Sequence, residues 1–141
     1  MKNMKTTTEL LKILKTKDNY EEVIETQPTF IESTLSEYLE DLIERKNLKK
    51  VDVICKSGFE RSYAYQIFSG KKIPSRDKLL TLAFGMKLTF EEVQDLLREN
   101  GYAELYPKNK RDNIIIFALY KGQSVLELNE SLLMMNEELL I

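Results

Sequence analysis

Residues Lys50 to Gly70 read KVDVICKSGFERSYAYQIFSG, and this stretch decides the fold. Gly58 divides it into two short helices joined by a tight turn. Val51, Val53 and Ile54 supply apolar positions to the first helix, and Gly58 can end it, because glycine accepts the left-handed backbone found at helix C-termini. Phe59 follows as an apolar plug. Ala64, Ile67 and Phe68 then recur at helical spacing, and Gly70 can close the second helix. Between those inward positions lie Arg61, Ser62, Tyr63, Tyr65, Gln66 and Ser69, whose side chains carry hydrogen-bonding groups. A two-helix unit with an outward, donor-rich face is what insertion into a DNA major groove requires.

Working outward, the flanks read as helices too. Thr34 and Glu37 have capping-box spacing, and Leu35, Tyr38, Leu39, Leu42 and Ile43 share one face. Asn47 is a stop. On the other side, Pro74-Ser75 opens a helix with Leu79, Leu82, Ala83 and Met86 as its stripe, and Gly85 is expected to end it. Thr89 and Glu92 make another capping box ahead of Phe90, Val93, Leu96 and Leu97, with Asn100-Gly101 as the stop. Five helices are therefore expected between Thr34 and Gly101.

On these residues the stretch resembles the helix-turn-helix of the Cro and phage-repressor type, the xenobiotic-response-element family. That pattern places a glycine at the turn and an apolar residue directly after it. A small buried residue follows six positions past the glycine, an apolar one nine past and a second glycine twelve past. Gly58, Phe59, Ala64, Ile67 and Gly70 occupy these places, and KKIPSRDKLLTLAFGM resembles the family's continuation. The likeness spans roughly Thr34 to Gly101. Lys50 stands where glutamine is common, Val53-Ile54 where Leu-Ala is usual, and Glu60 where a serine or threonine cap is common. The resemblance implies an all-α, five-helix repressor-like domain that binds double-stranded DNA as a homodimer. It implies base contacts from Arg61, Ser62 and Gln66. Phosphate contacts are expected from Lys49, Lys50, Tyr63, Tyr65, Ser69, Lys71, Lys72 and Arg76. Arg61 suits guanine O6 and N7, and Gln66 suits adenine. Glu60 counts against this reading, since it brings negative charge near the DNA backbone.

The chain has 141 residues and an ordinary globular composition, 43% hydrophobic and 31% charged. Its net charge of −2 argues against nucleic acid, but the distribution is uneven. From Leu48 to Lys78 there are eight basic residues against three acidic ones, so that segment is +5 and the remainder −7. A basic centre between acidic flanks can meet phosphate. Cys55, the lone cysteine, has no intramolecular disulfide partner, which fits a reducing cytoplasm, and it reads as a buried structural residue. No apolar run approaches the ~20 residues of a membrane span, and MKNMKTTTELLK lacks a signal-peptide core.

Three segments are expected: an N-terminal helical extension (1–32), the helix-turn-helix domain (33–101) and a C-terminal helical hairpin (102–141). The first starts with a Thr6–Glu9 capping box, continues with a helical turn over Tyr20–Ile24 and is interrupted at Gln27-Pro28. In the last, IIIFAL reads as a buried helix, and Ser124–Glu127 caps another. Both terminal pieces are expected to pack on the central domain. The apolar end, LLMMNEELLI, either docks on the N-terminal helix or forms a dimer surface.

Catalysis has little support. There is no histidine, no phosphate-cradling glycine loop and no cysteine cluster for a metal, so no cofactor or metal is expected. The competing function is a protein-interaction module, antitoxin-like or an adaptor, that uses the helix-turn-helix as a scaffold and engages its partner through the terminal helices.

Overall fold

The structure is a computed structural model and describes residues 7–16 and 34–140. Among them are eight helices and no strand, so the protein is all-α. They are α1 (Thr7–Thr16), α2 (Leu35–Arg45), α3 (Lys50–Ser57), α4 (Arg61–Phe68), α5 (Arg76–Gly85), α6 (Phe90–Glu99), α7 (Lys110–Lys121) and α8 (Val125–Met134). No described helix is long and apolar enough to cross a membrane. The chain forms two compact units, Met1–Glu32 and Ser33–Ile141. The first contains α1, which exposes Leu11 and Leu14. The Thr6 cap, the Tyr20–Ile24 turn and the Gln27-Pro28 break lie outside the described residues, as does Ile141.

In the second unit α5 is the central helix. Seven consecutive residues, Leu79 to Gly85, are buried, which a helix tolerates only when it is surrounded. Helix α3 packs against it most extensively, and α6 and α8 also contact it. The core joins Leu39, Ile67, Leu80, Leu96, Ile115, Leu128, Leu132 and Leu140, so residues from α2 to the C-terminal tail share one apolar interior. The 33–101 and 102–141 segments thus fall within one unit rather than two.

Local chemistry places most of the helix starts. Thr34, Ser75, Thr89, Asn109 and Ser124 each accept a hydrogen bond from the amide three residues on. At Thr89–Glu92 and Ser124–Glu127 the bond is returned by the glutamate, completing the box. Thr34 makes only the first half. Helix ends use the left-handed closure. Gly70, Gly101 and Gly122 adopt it, and so do Asn47, Lys87 and Asn136.

Two expectations need correction, Cys55 and IIIFAL, and two are made more specific, Gly85 and the end of the chain. Helix α5 stops at Gly85, as expected, but not through a left-handed glycine, since Lys87 takes that turn. Gly85 is instead the point where α5 presses on α3: a Cβ there would lie 2.1 Å from Ser57 Oγ and 2.7 Å from the Val53 carbonyl. Cys55 is exposed, not buried, because α3 turns Val53, Ile54 and Ser57 inward and leaves Cys55 outside. IIIFAL is a helix, but it is buried on one face only, through Ile115, Ala118 and Leu119, while Phe117 is 54% exposed. Finally, the end of the chain buries Leu132 and Leu140 in the core of its own unit, while Leu133, Met134 and Met135 remain exposed. It reverses at Asn136 and buries Leu140, whose backbone N–H and C=O both bond the Asn129 side-chain amide, at 2.7 and 3.0 Å.

A crossed pair of ion bridges ties the last helices to α5. Arg76 donates to both oxygens of Asp112, at 3.1 and 3.0 Å, and Arg111 donates to both oxygens of Asp77, at 2.9 and 3.0 Å. Each arginine also donates to two carbonyls, Arg76 to Ala103 and Glu104, and Arg111 to Glu138 and Leu139. Bonding to Asp77 raises the pKa of Arg111 against the opposing effect of burial.

Candidate nucleic-acid interface

Helices α3 and α4 are set by the turn between them. Gly58 is left-handed (φ 74, ψ 14), and its N–H bonds the Cys55 carbonyl. Phe59 is half-buried beside Tyr63, ring centroids 5.9 Å apart. With Ala64, Ile67 and Phe68 packed into the core, the other face of α4 turns outward.

That face carries most of the expected residues. Arg61 and Ser62 are exposed in the first turn of α4, with Tyr65 and Ser69 exposed further along it and Gln66 half-buried. The Arg61 guanidinium lies 5.9 Å from the Tyr65 ring centroid, a cation–π contact that orients it along the helix. Ser62 Oγ donates to the Glu60 carboxylate at 3.1 Å. Lys49, Lys71 and Lys72 are exposed. The amides of Lys71 and Lys72 both bond the Gln66 carbonyl, which folds the basic loop back on the end of α4.

Five of the expected residues, Lys50, Tyr65, Gln66, Ser69 and Lys71, line one open groove of about 490 Å³. Glu40 from α2 and the edge of Phe68 complete it. Lys50 is not free there. Its ammonium pairs with the Glu40 carboxylate and lies 5.1 Å from the Phe68 ring centroid.

Two expected residues belong elsewhere. Arg76 is committed to Asp112 and to the 103–104 carbonyls, so its donors hold the protein together instead of meeting phosphate. Tyr63 is half-buried against the core, with the Lys78 ammonium 5.3 Å from its ring. Its ring packs on the core and draws Lys78 in with it.

Sequence reasoning overlooked two residues. Glu40 lies outside the apolar stripe of α2, and nothing local shows that it reaches Lys50. Ile73 is 85% exposed between the basic loop and Pro74. Its signal was visible, an isoleucine flanked by lysine and proline in a loop.

The helix starts are also uneven. In the Ser33–Ile141 unit, α3 and α4 alone lack a side-chain cap; the residues before them are Lys49 and Glu60. Their first-turn amides therefore lack a capping side chain, although Glu60 keeps a carboxylate at the start of α4.

Comparison with known protein families, with curated proteins and with solved structures returns no match.

Proposed function

We propose that this chain is a sequence-specific, double-stranded-DNA-binding regulator in which Arg61–Phe68 enters the major groove as the recognition helix of a repressor-like helix-turn-helix. One observation carries the reading. The outward face of α4 is uncovered by the rest of its unit, and it joins Arg61, Ser62 and Tyr65 to a groove lined by Lys50, Gln66, Ser69 and Lys71. Arg61 and Gln66 are the base-reading groups, and Ser62 joins them once it leaves Glu60. Lys49, Lys50, Ser69, Lys71, Lys72 and the uncapped amides of α3 and α4 hold phosphates and set register. A half-site read by one such helix is short, so the regulator acts as a homodimer.

A salt titration with duplex DNA tests this. Binding should appear at low salt and weaken steeply as salt rises, because phosphate contacts release counterions. Arg61→Ala should lower affinity for a selected site by roughly 5- to 150-fold, the equivalent of ~1–3 kcal/mol. Absence of binding at low salt refutes the reading.

The interaction-module reading is favoured by one feature. Helix α8 and its end expose Leu126, Leu133, Met134 and Met135, apolar groups that suit a protein surface. A partner complex that survives Arg61→Ala and is lost on Leu133→Glu would support it.

A further inference from the structure

We propose that Glu40 sets the affinity of this face for duplex DNA by competing with phosphate for Lys50. The inference rests on the DNA reading above. Lys50 lies in the groove beside Tyr65, Gln66, Ser69 and Lys71, where that reading needs a phosphate-binding cation. Its ammonium is already held by the Glu40 carboxylate, which reaches across from α2. Lys71, which also lines the groove, and the neighbouring Lys72 are exposed, with no ion pair among the described residues. Lys50 is therefore the groove lysine with a built-in competitor.

The pair is accessible. Its side chains are 31% and 46% exposed, so water and ions reach both. Exposed pairs of this kind are weakly held, and a phosphate oxygen can take the carboxylate's place. The exchange has a second consequence. Once Lys50 moves to phosphate, Glu40 remains ionised and unpaired on the wall of a groove facing a polyanion. Loss of the pair and repulsion of the leftover carboxylate both act on the bound state. Phe68 favours reversibility, because its ring holds the ammonium 5.1 Å from its centroid without neutralising it. Glu40 thus lowers affinity without covering the groove. The effect falls on every sequence alike, so it leaves base reading by Arg61 and Gln66 to decide where the protein stays.

The test is a double-mutant cycle on the full chain. Wild type, Glu40→Gln, Lys50→Gln and the double variant are titrated with a fluorescent mixed-sequence duplex of about 30 base pairs across a range of sodium chloride, where each added phosphate contact steepens the salt slope by ~0.9. Circular dichroism melts confirm that all four fold. Glu40→Gln should tighten binding by roughly 3- to 10-fold at low salt with little change of salt slope, because Lys50 meets phosphate in both proteins, whereas Lys50→Gln should flatten the slope by about 0.9. In the Lys50→Gln background the same change should tighten binding clearly less, because only the carboxylate's repulsion of phosphate is relieved, and leave the slope unchanged. Equal tightening in both backgrounds overturns the inference, because Glu40 would then act only as a diffuse negative charge. No tightening in either overturns it too. If none of the four proteins binds duplex DNA at low salt, the DNA reading fails first and the inference falls with it.

Discussion

Gly85→Ala probes the contact on which the two-helix unit is seated. Helix α3 rests on α5 at this glycine, where an added Cβ would meet Ser57 Oγ at 2.1 Å and the Val53 carbonyl oxygen at 2.7 Å. The serine can rotate, but its hydroxyl is buried and donates to that same carbonyl at 2.7 Å, so rotation costs about 1 kcal/mol or more. The carbonyl cannot rotate. To restore a 3.4 Å contact, α3 must withdraw by at least ~0.7 Å from the helix it packs against most. Overpacking of this kind costs ~1–3 kcal/mol. Alanine's better helix propensity returns ~1 kcal/mol. The net expectation is a loss of about 2 kcal/mol, read in urea as a midpoint lowered by about 1 M at unchanged slope. Ser57→Ala in the Gly85→Ala background should recover only part of this, since the Val53 contact remains. Gly101→Ala is the control. Nothing lies within 4 Å of its Cβ position, so its cost, ~1 kcal/mol, comes from a φ of +81 alone. A Gly85→Ala protein as stable as wild type would refute the close-contact argument.

Three further expectations follow from the same geometry. Arg111→Ala should destabilise the protein by about 2–4 kcal/mol, because it leaves Asp77 unpaired and frees the carbonyls of Glu138 and Leu139. Arg111→Lys should restore little of that, since an ammonium cannot reproduce the two-pronged bond, and a chemical melt of both variants checks the pair. Burial alone would raise the pKa of Glu92, but its bonds to Lys46 and the Thr89 amide outweigh that and hold it below its ordinary value of 4.5. Its folded pKa is depressed, so its contribution is fully present above that ordinary value and is lost as pH falls through the folded one. Stability measured against pH should fall less steeply through that acid range for Glu92→Gln than for wild type. Lys87 holds a left-handed backbone at φ 55, so Lys87→Gly should raise stability by about 0.5–1 kcal/mol, seen as a melting point higher by a few degrees.

Much of the fold was legible because its signals are local. A threonine or serine three residues before a glutamate satisfies free amides within one turn, so Thr89–Glu92 and Ser124–Glu127 announced their helices. Periodic apolar residues did the same for α2 and α6. Contacts between distant segments left no such mark. The dipeptide Arg-Asp occurs at 76–77 and again at 111–112, but neither copy shows that each arginine answers the other's aspartate. That is why Arg76 resembled Lys71 and Lys72 as a phosphate contact, and why Glu40 looked like an ordinary solvated charge. Gly85 shows the same limit, since its place at a helix end was legible and its contact with α3 was not.

The sequence by itself determined that the chain is helical, where most described helices of the larger unit begin and stop, and which side of α4 faces inward. Hydrogen bonds and apolar spacing within one or two turns suffice for that. Only the tertiary structure decided which charges are spent inside the protein and which remain for a partner. Ion pairs join residues that the fold brings together from ten or more than thirty positions apart, as Lys50 and Glu40 and Arg76 and Asp112 are joined.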